Sequence, residues 1–127
     1  MNQLKDGERH GYWEECHEDG SLYSKGNYID GIPSGLNETF YSSGQLKIRC
    51  HFKNGKIEGL YEEYFEDGQL KKKLYIKNEK FDGPSETYFP NGTLWLSSNY
   101  KEEKMHGLQI ENYEDSSLKF RHILKQF

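Results

Sequence analysis

Apolar residues are scarce in this chain, and their scarcity excludes several classes of protein. Only 33% of the 127 residues are hydrophobic, and no apolar run approaches the roughly 18 residues of a membrane-spanning helix. The opening residues, MNQLKDGERHG, lack the apolar segment of a secretory signal. There are only two cysteines, at unrelated positions of the pattern described below, so they have no expected disulfide. Unpaired thiols without a signal peptide are typical of the cytoplasm, where we expect this protein.

A surplus of positive charge is also absent. The chain has 17 Lys and Arg against 21 Asp and Glu, a net charge of −4. Its only basic run, Lys71-Lys72-Lys73, lies in a stretch, 59–82, where acidic residues outnumber lysines by one. Nucleic acids and anionic membranes both require a basic surface. We therefore expect no nucleic-acid partner, and a membrane surface is not the favoured one.

The residue patterns of enzymes and metal sites are missing as well. The five histidines are scattered, and no His/Cys cluster has the spacing of metal ligands. No Ser, Cys or Lys lies in a recognisable nucleophile context. The recurring glutamates are interpreted below as structural pairs. The sequence thus predicts a protein without catalytic residues, metal or cofactor.

The sequence does contain a pattern that recurs every 24 residues, the spacing of Gly11 and Gly35. Each copy has two glycines and a leucine that follows closely after the second. The first glycines are Gly11, Gly35, Gly59, Gly83 and Gly107, the second are Gly20, Gly44, Gly68 and Gly92 (Ser116 in the last copy), and the leucines are Leu22, Leu46, Leu70, Leu94 and Leu118. Such a period indicates a repeat array. We divide one domain, 1–127, into a partial unit 1–10, full units 11–34, 35–58, 59–82 and 83–106, and a degraded capping unit 107–127.

Each unit contains two turn signals. Asp67-Gly68 represents the first and Asn54-Gly55 the second, which weakens to Asn78-Glu79 and Glu102-Glu103 in later copies. Asp-Gly and Asn-Gly between short aromatic-rich runs favour tight hairpin loops, because both central residues need a positive φ. The predicted fold is all-β: a single-layer antiparallel β-meander of about ten strands built from 24-residue hairpins. The tail over 118–124 is predicted as a strand from the repeat, against a helix suggested by the spacing of Phe120, Ile123, Leu124 and Phe127.

Two-residue loops set the predicted register. At the second turn they pair Phe52 with Ile57, Ile76 with Phe81, and Tyr100 with Met105. At the first turn they pair Glu14 with Lys25, Glu38 with Arg49, Glu62 with Lys73, Phe40 with Lys47, Tyr64 with Lys71, and Tyr88 with Trp95. A three-residue loop with a bulge, which Pro90-Asn91-Gly92 also suits, breaks the charge pairs. The two-residue loop is therefore favoured, since opposite charges across strands are stabilising.

This register divides the residues between two faces, because strand side chains alternate. The predicted core face collects the five leucines and the aromatic column Tyr41, Phe65, Phe89 and Tyr113. The predicted amphipathic face carries aromatic residues among compensating charges, as protein interfaces do. Its candidate partner-binding residues are Phe40, Tyr64, Tyr88, Trp95, Lys47, Lys71, Glu38 and Glu62.

The order of Gly, aromatic residues, Asn/Asp-Gly, Leu, Tyr and a second Asn-Gly resembles the MORN repeat in its second variant. Unit 11–34 (GYWEECHEDGSLYSKGNYIDG) and unit 59–82 are the most similar, and the resemblance covers residues 4–124. Bacterial proteins of this variant are commonly grouped as YwqK-type antitoxins. The resemblance implies a non-enzymatic protein-binding module with an antitoxin or immunity-like role, which holds and neutralises a partner protein; a toxin is one candidate for that partner. The alternative is a structural scaffold that organises a complex or docks at a membrane surface, and a homodimer through a sheet face or edge is left open.

Overall fold

The computed structural model describes residues 2–124, which form one open antiparallel sheet. No helix occurs in this range, so none could cross a membrane. The thirteen strands are β1 (Gln3–Lys5), β2 (Glu8–Cys16), β3 (Leu22–Ile29), β4 (Ile32–Phe40), β5 (Leu46–Lys53), β6 (Lys56–Tyr64), β7 (Leu70–Lys77), β8 (Lys80–Phe81), β9 (Gly83–Tyr88), β10 (Leu94–Lys101), β11 (Lys104–Met105), β12 (Gly107–Asn112) and β13 (Leu118–Leu124). They pair in chain order, which confirms the all-β single-layer meander.

The strand count exceeds ten for two reasons. The partial first unit contributes β1. The strand that follows the second turn is continuous in the earlier units, as β4 and β6. In the later units it is divided into two strands, β8 with β9 and β11 with β12. The tail forms β13 against β12, so the strand interpretation of 118–124 is confirmed. Phe127, which contributed to the helical spacing, lies outside the described residues.

The second turn of each unit has the predicted two-residue loop. Asn54 and Gly55 both have positive φ, 54° and 79°, and so do Asn78 and Glu79, at 52° and 67°. The loop persists without glycine, because the flanking strands impose it. The three predicted apolar pairs are confirmed: Phe52–Ile57, Ile76–Phe81 and Tyr100–Met105.

The first turn differs from the prediction. Its loop has three residues: the Phe65 N–H donates to the Gln69 carbonyl oxygen (2.8 Å) and the Gly68 N–H to that of Phe65 (2.9 Å). A bulge follows at once, since Tyr64 pairs with Leu70 but Glu63 pairs with Lys72. The longer loop shifts the pairing by one residue and the bulge shifts it back.

The consequences for the predicted pairs are mixed. The pairs farther from the turn than the bulge are confirmed: Glu14–Lys25, Glu38–Arg49 and Glu62–Lys73. The predicted pairs between the turn and the bulge, Phe40–Lys47, Tyr64–Lys71 and Tyr88–Trp95, are wrong. Their true partners are Leu46, Leu70 and Leu94.

The bulge also reverses the predicted face of the leucines. Directly paired residues of antiparallel strands share a face, so Leu70 lies beside Tyr64. We call this side, which also carries Glu38 and Phe40, the Tyr64 face. The opposite side, which carries Tyr61 and Leu74, is the Leu74 face. The predicted core leucines therefore belong to the Tyr64 face, where Leu70 is only half-buried.

The most buried residues form one row on the Leu74 face. Gly26, Cys50, Leu74 and Ser98 are buried, and they occupy the same position in four successive units. Cys50 is 5% exposed and Leu74 is 6% exposed. A single sheet has no second layer, so only the centre of each hairpin is covered by its own neighbours. This row takes the place of a conventional core.

Ser116 provides a test of turn strain. It replaces the repeat's glycine and adopts φ 75°, a conformation that costs a residue with Cβ about 1–2 kcal/mol. We expect Ser116→Gly to raise the free energy of unfolding by about 0.5–1 kcal/mol, after the entropy that glycine loses on folding. The measurement is a urea titration. The control is Ser42→Gly, at an exposed turn position outside the positive-φ region, which is expected to be destabilising. Stabilisation by both substitutions would contradict the strain at Ser116.

Candidate protein-interaction surface

The Tyr64 face carries tyrosines that are hydrogen-bonded within their own strands. The Tyr64 hydroxyl donates to Glu62 Oε2 (2.9 Å) and the Tyr88 hydroxyl to Glu86 Oε2 (2.7 Å). Burial, with the hydrogen bond to Glu86 second, raises the pKa of Tyr88 to about 12. Burial and Glu62 likewise raise the pKa of Tyr64. These half-buried tyrosines stay protonated and are held in place by the sheet itself.

Charged residues on the same face compensate one another. Glu38 accepts hydrogen bonds from Arg49 Nε (3.1 Å) and from a terminal guanidinium nitrogen of Arg49 (3.0 Å), and lies 3.9 Å from Lys25 Nζ. The Lys25 ammonium also lies 5.5 Å from the ring centre of Phe40. Glu62 is the Cα partner of both Arg49 and Lys73. Five predicted site residues share this face: Phe40, Tyr64, Tyr88, Glu38 and Glu62.

The other three predicted site residues lie on the Leu74 face, which corrects the single-surface prediction. Lys47 Nζ lies 5.4 Å from the ring centre of Tyr41, and Lys71 Nζ lies 3.2 Å from Glu63 Oε2. Trp95 stacks on Phe89 with 5.0 Å between ring centres and 18° between planes. These residues follow the leucines at the bulge, which turns their side chains to this face. Whether any of the eight binds a partner remains a prediction.

Sequence reasoning missed a concavity on the Leu74 face. It has a volume of about 450 Å³, with an apolar floor and both signs of charge at its rim. It is lined by Ile57, Tyr61, Leu74, Ile76, Phe81, Thr87, Glu63, Lys71 and Lys72. The apolar pair Ile76–Phe81 was the available signal, but the sequence did not show that the side chains around this pair leave a concavity.

Three polar residues at this concavity, Tyr61, Glu63 and Lys71, are already paired with one another. The Tyr61 hydroxyl donates to Glu63 Oε1 (3.0 Å), and burial followed by this hydrogen bond raises the pKa of Tyr61 to about 12. The other carboxylate oxygen of Glu63 forms an ion pair with the Lys71 ammonium. The site can therefore receive apolar groups over its floor and charged groups at its rim.

Exposed aromatic residues are concentrated on the same face. Trp95 is 43% exposed and Phe81, at the concavity, is 39% exposed. Tyr23 and Tyr113 are further exposed aromatic side chains. Tyr23 and Tyr113 each lie beside the first turn of their unit. Partly exposed aromatic side chains are the kind that anchor a partner at protein interfaces.

An open sheet of tandem hairpins defines a β-repeat protein. The MORN repeat variant family model matches four tandem segments, 9–30, 33–54, 57–78 and 81–102, which together cover more than half of the chain. The chain belongs to this family. A comparison with curated proteins gave no match. MORN repeats generally mediate protein or membrane interactions.

Proposed function

We propose that this chain is a non-enzymatic module that binds a partner protein through the Leu74 face. The observation that carries the proposal is the concavity at Tyr61 and Leu74, with exposed aromatic residues on the same face. An apolar side chain of the partner would fill it, while Lys71, Lys72 and Glu63 would orient the complex. Binding rather than catalysis is supported by the pairing of the site's hydroxyl and carboxylate within the sheet.

The finer role that we propose is neutralisation of a toxin. Its support is the resemblance of units 11–34 and 59–82 to the repeats of YwqK-type antitoxins. The two free cysteines support a cytoplasmic location, since a reducing compartment keeps thiols unpaired. A toxin partner predicts stoichiometric binding and restored growth when both proteins are co-expressed. A scaffold would instead co-purify with a larger complex, and its co-expression would not restore growth.

The test compares the two faces of the sheet. Affinity capture from native lysate with mass spectrometry identifies the partner, and titration with the purified partner gives Kd. We expect the double variant Phe81→Ala/Trp95→Ala to weaken binding by at least about 30-fold, the effect of losing a hot spot of about 2 kcal/mol. The matched variant Tyr64→Ala/Tyr88→Ala removes two aromatic residues from the opposite face. Circular dichroism and urea titration verify that both variants remain folded.

The outcomes separate the alternatives. Loss of binding only in Phe81→Ala/Trp95→Ala supports the Leu74 face. Loss only in Tyr64→Ala/Tyr88→Ala contradicts it and supports the amphipathic face that the sequence predicted. Undiminished binding by both variants would show that neither face carries the interaction.

A further inference from the structure

A row of alternating charge crosses the sheet on the Tyr64 face. Consecutive members are Cα partners on neighbouring strands, so each basic residue lies between two glutamates. The row runs Glu14, Lys25, Glu38, Arg49, Glu62, Lys73 and Glu86. Ser97 and Ile110 interrupt it on the next two strands. In this row, each basic residue is therefore paired with a glutamate on the following strand.

Arg121 is the basic residue of this row on the last strand. It occupies the position of Lys73 two units further along the chain, and its inner neighbour is Ile110. Its side chain is exposed and makes no hydrogen bond or ion pair with any residue in 2–124. No strand within that range pairs with the outer edge of β13. Within 2–124 the row therefore ends on a cation that has no carboxylate beside it on an outer strand.

The opposite edge of the sheet is largely closed by Asn2. Its Nδ2 donates to the Glu14 carbonyl oxygen (2.9 Å), and its Oδ1 accepts the Glu14 N–H (2.7 Å). Its own backbone N–H donates to the Tyr12 carbonyl oxygen (2.8 Å). The amide of Asn2 thus takes the place of a neighbouring peptide group. The two edges of the described sheet differ, because β13 presents an open strand of 7 residues and β1 one of only 3 residues.

A second copy of the chain fits the β13 edge poorly. The strand β13 contains Lys119, Arg121 and His122 and no carboxylate. Antiparallel pairing of two β13 strands would place basic residues near one another, and like charges across strands are destabilising. The β2 edge of a second copy is occupied by Asn2 and β1. An extended segment that carries carboxylates suits this edge better, because it places opposite charges across the strands.

We propose that the outer edge of β13 binds an acidic strand of a partner protein by antiparallel β-augmentation, with a carboxylate opposite Arg121. The backbone of the added strand satisfies the open edge, and its carboxylate continues the row. The site is separate from the concavity and from the residues tested there. Each proposal can therefore fail without the other.

A peptide that copies the sheet's own glutamate strand is the probe. The sequence IEGLYEEYF, residues 57–65, carries the glutamate that faces Arg49 and Lys73. We expect the capped peptide to bind the whole protein and to protect the amides of 118–124 from hydrogen exchange. Affinity should fall as salt rises, because the pair is exposed. A peptide N-methylated at the glutamate equivalent to Glu62 tests the need for backbone pairing and should not bind.

Charge reversal tests the role of Arg121. We expect Arg121→Glu to weaken the wild-type peptide by about tenfold, since an attraction becomes a repulsion. A peptide carrying lysine in place of the glutamate equivalent to Glu62 should recover affinity for Arg121→Glu. The control is Lys101→Glu, an exposed reversal on another strand, which should leave affinity unchanged. Absent binding, equal binding by Arg121→Glu, or protection of 118–124 by self-association would each overturn the proposal.

Discussion

Replacing Leu74 by alanine is expected to lower the free energy of unfolding by about 2–5 kcal/mol. Leu74 is 6% exposed, pairs with Tyr61 on the neighbouring strand and forms part of the floor of the concavity. The lost methyl groups leave a space that a single-layer sheet cannot close from a second side. The measurement is a urea titration that compares the transition midpoint at unchanged slope.

Leu70→Ala is the matched control for Leu74→Ala. Leu70 lies earlier on the same strand, but on the Tyr64 face and only half-buried. The sequence predicted Leu70 as a core leucine, but its partial exposure indicates a smaller loss of stability than for Leu74→Ala, below about 2 kcal/mol. Equal losses from the two substitutions would contradict the structural distinction between the faces.

Replacing Gly26 by leucine is expected to destabilise the sheet by about 1–3 kcal/mol through overpacking. Gly26 is buried between its Cα partners Trp13 and Asn37. A Cβ at Gly26 would lie 2.3 Å from Asn37 Nδ2 and 3.3 Å from the Leu36 carbonyl oxygen. Leucine occupies the equivalent position in a later unit, as Leu74. The neighbours of Gly26, rather than its position in the repeat, therefore disfavour a leucine there.

A double-mutant cycle tests this explanation. Asn37→Ser copies Ser85, which occupies the equivalent position beside Ser98. We expect Asn37→Ser to recover part of the stability that Gly26→Leu loses, because the closest contact is removed. Asn27→Leu, an exposed neighbour on the opposite face, should change stability little. Full stability of Gly26→Leu alone would contradict the crowding.

The second turn was predictable because its chemistry is local. A two-residue loop requires positive φ at both positions, and Asn54-Gly55 supplies residues that adopt it readily. The fixed period of the repeat then carried the same hairpin into copies where glycine is lost. Phe52–Ile57 and its equivalents followed directly.

The first turn was not predictable from the charge pairs on which the register depended. Between Glu62 and Lys73 the chain has the same length whether it forms a two-residue loop or a three-residue loop with a bulge. Both arrangements therefore pair Glu62 with Lys73, and the expectation that a bulged three-residue loop breaks the charge pairs was wrong. The useful signal was Pro90, whose fixed φ suits a three-residue loop ending in Gly92. One bulged residue then decides which face each nearby side chain occupies.

The sequence by itself thus determined the repeat, the open all-β sheet and the cross-strand charges, because these depend on period and local turn chemistry. Only the tertiary structure decided where the candidate sites lie. The bulge separated Lys71 and Trp95 from Tyr64, and the packing of strands made the concavity at Leu74. Edge occupancy was likewise decided in three dimensions, since Asn2 closes one edge through contacts with β2, a strand that begins only at Glu8.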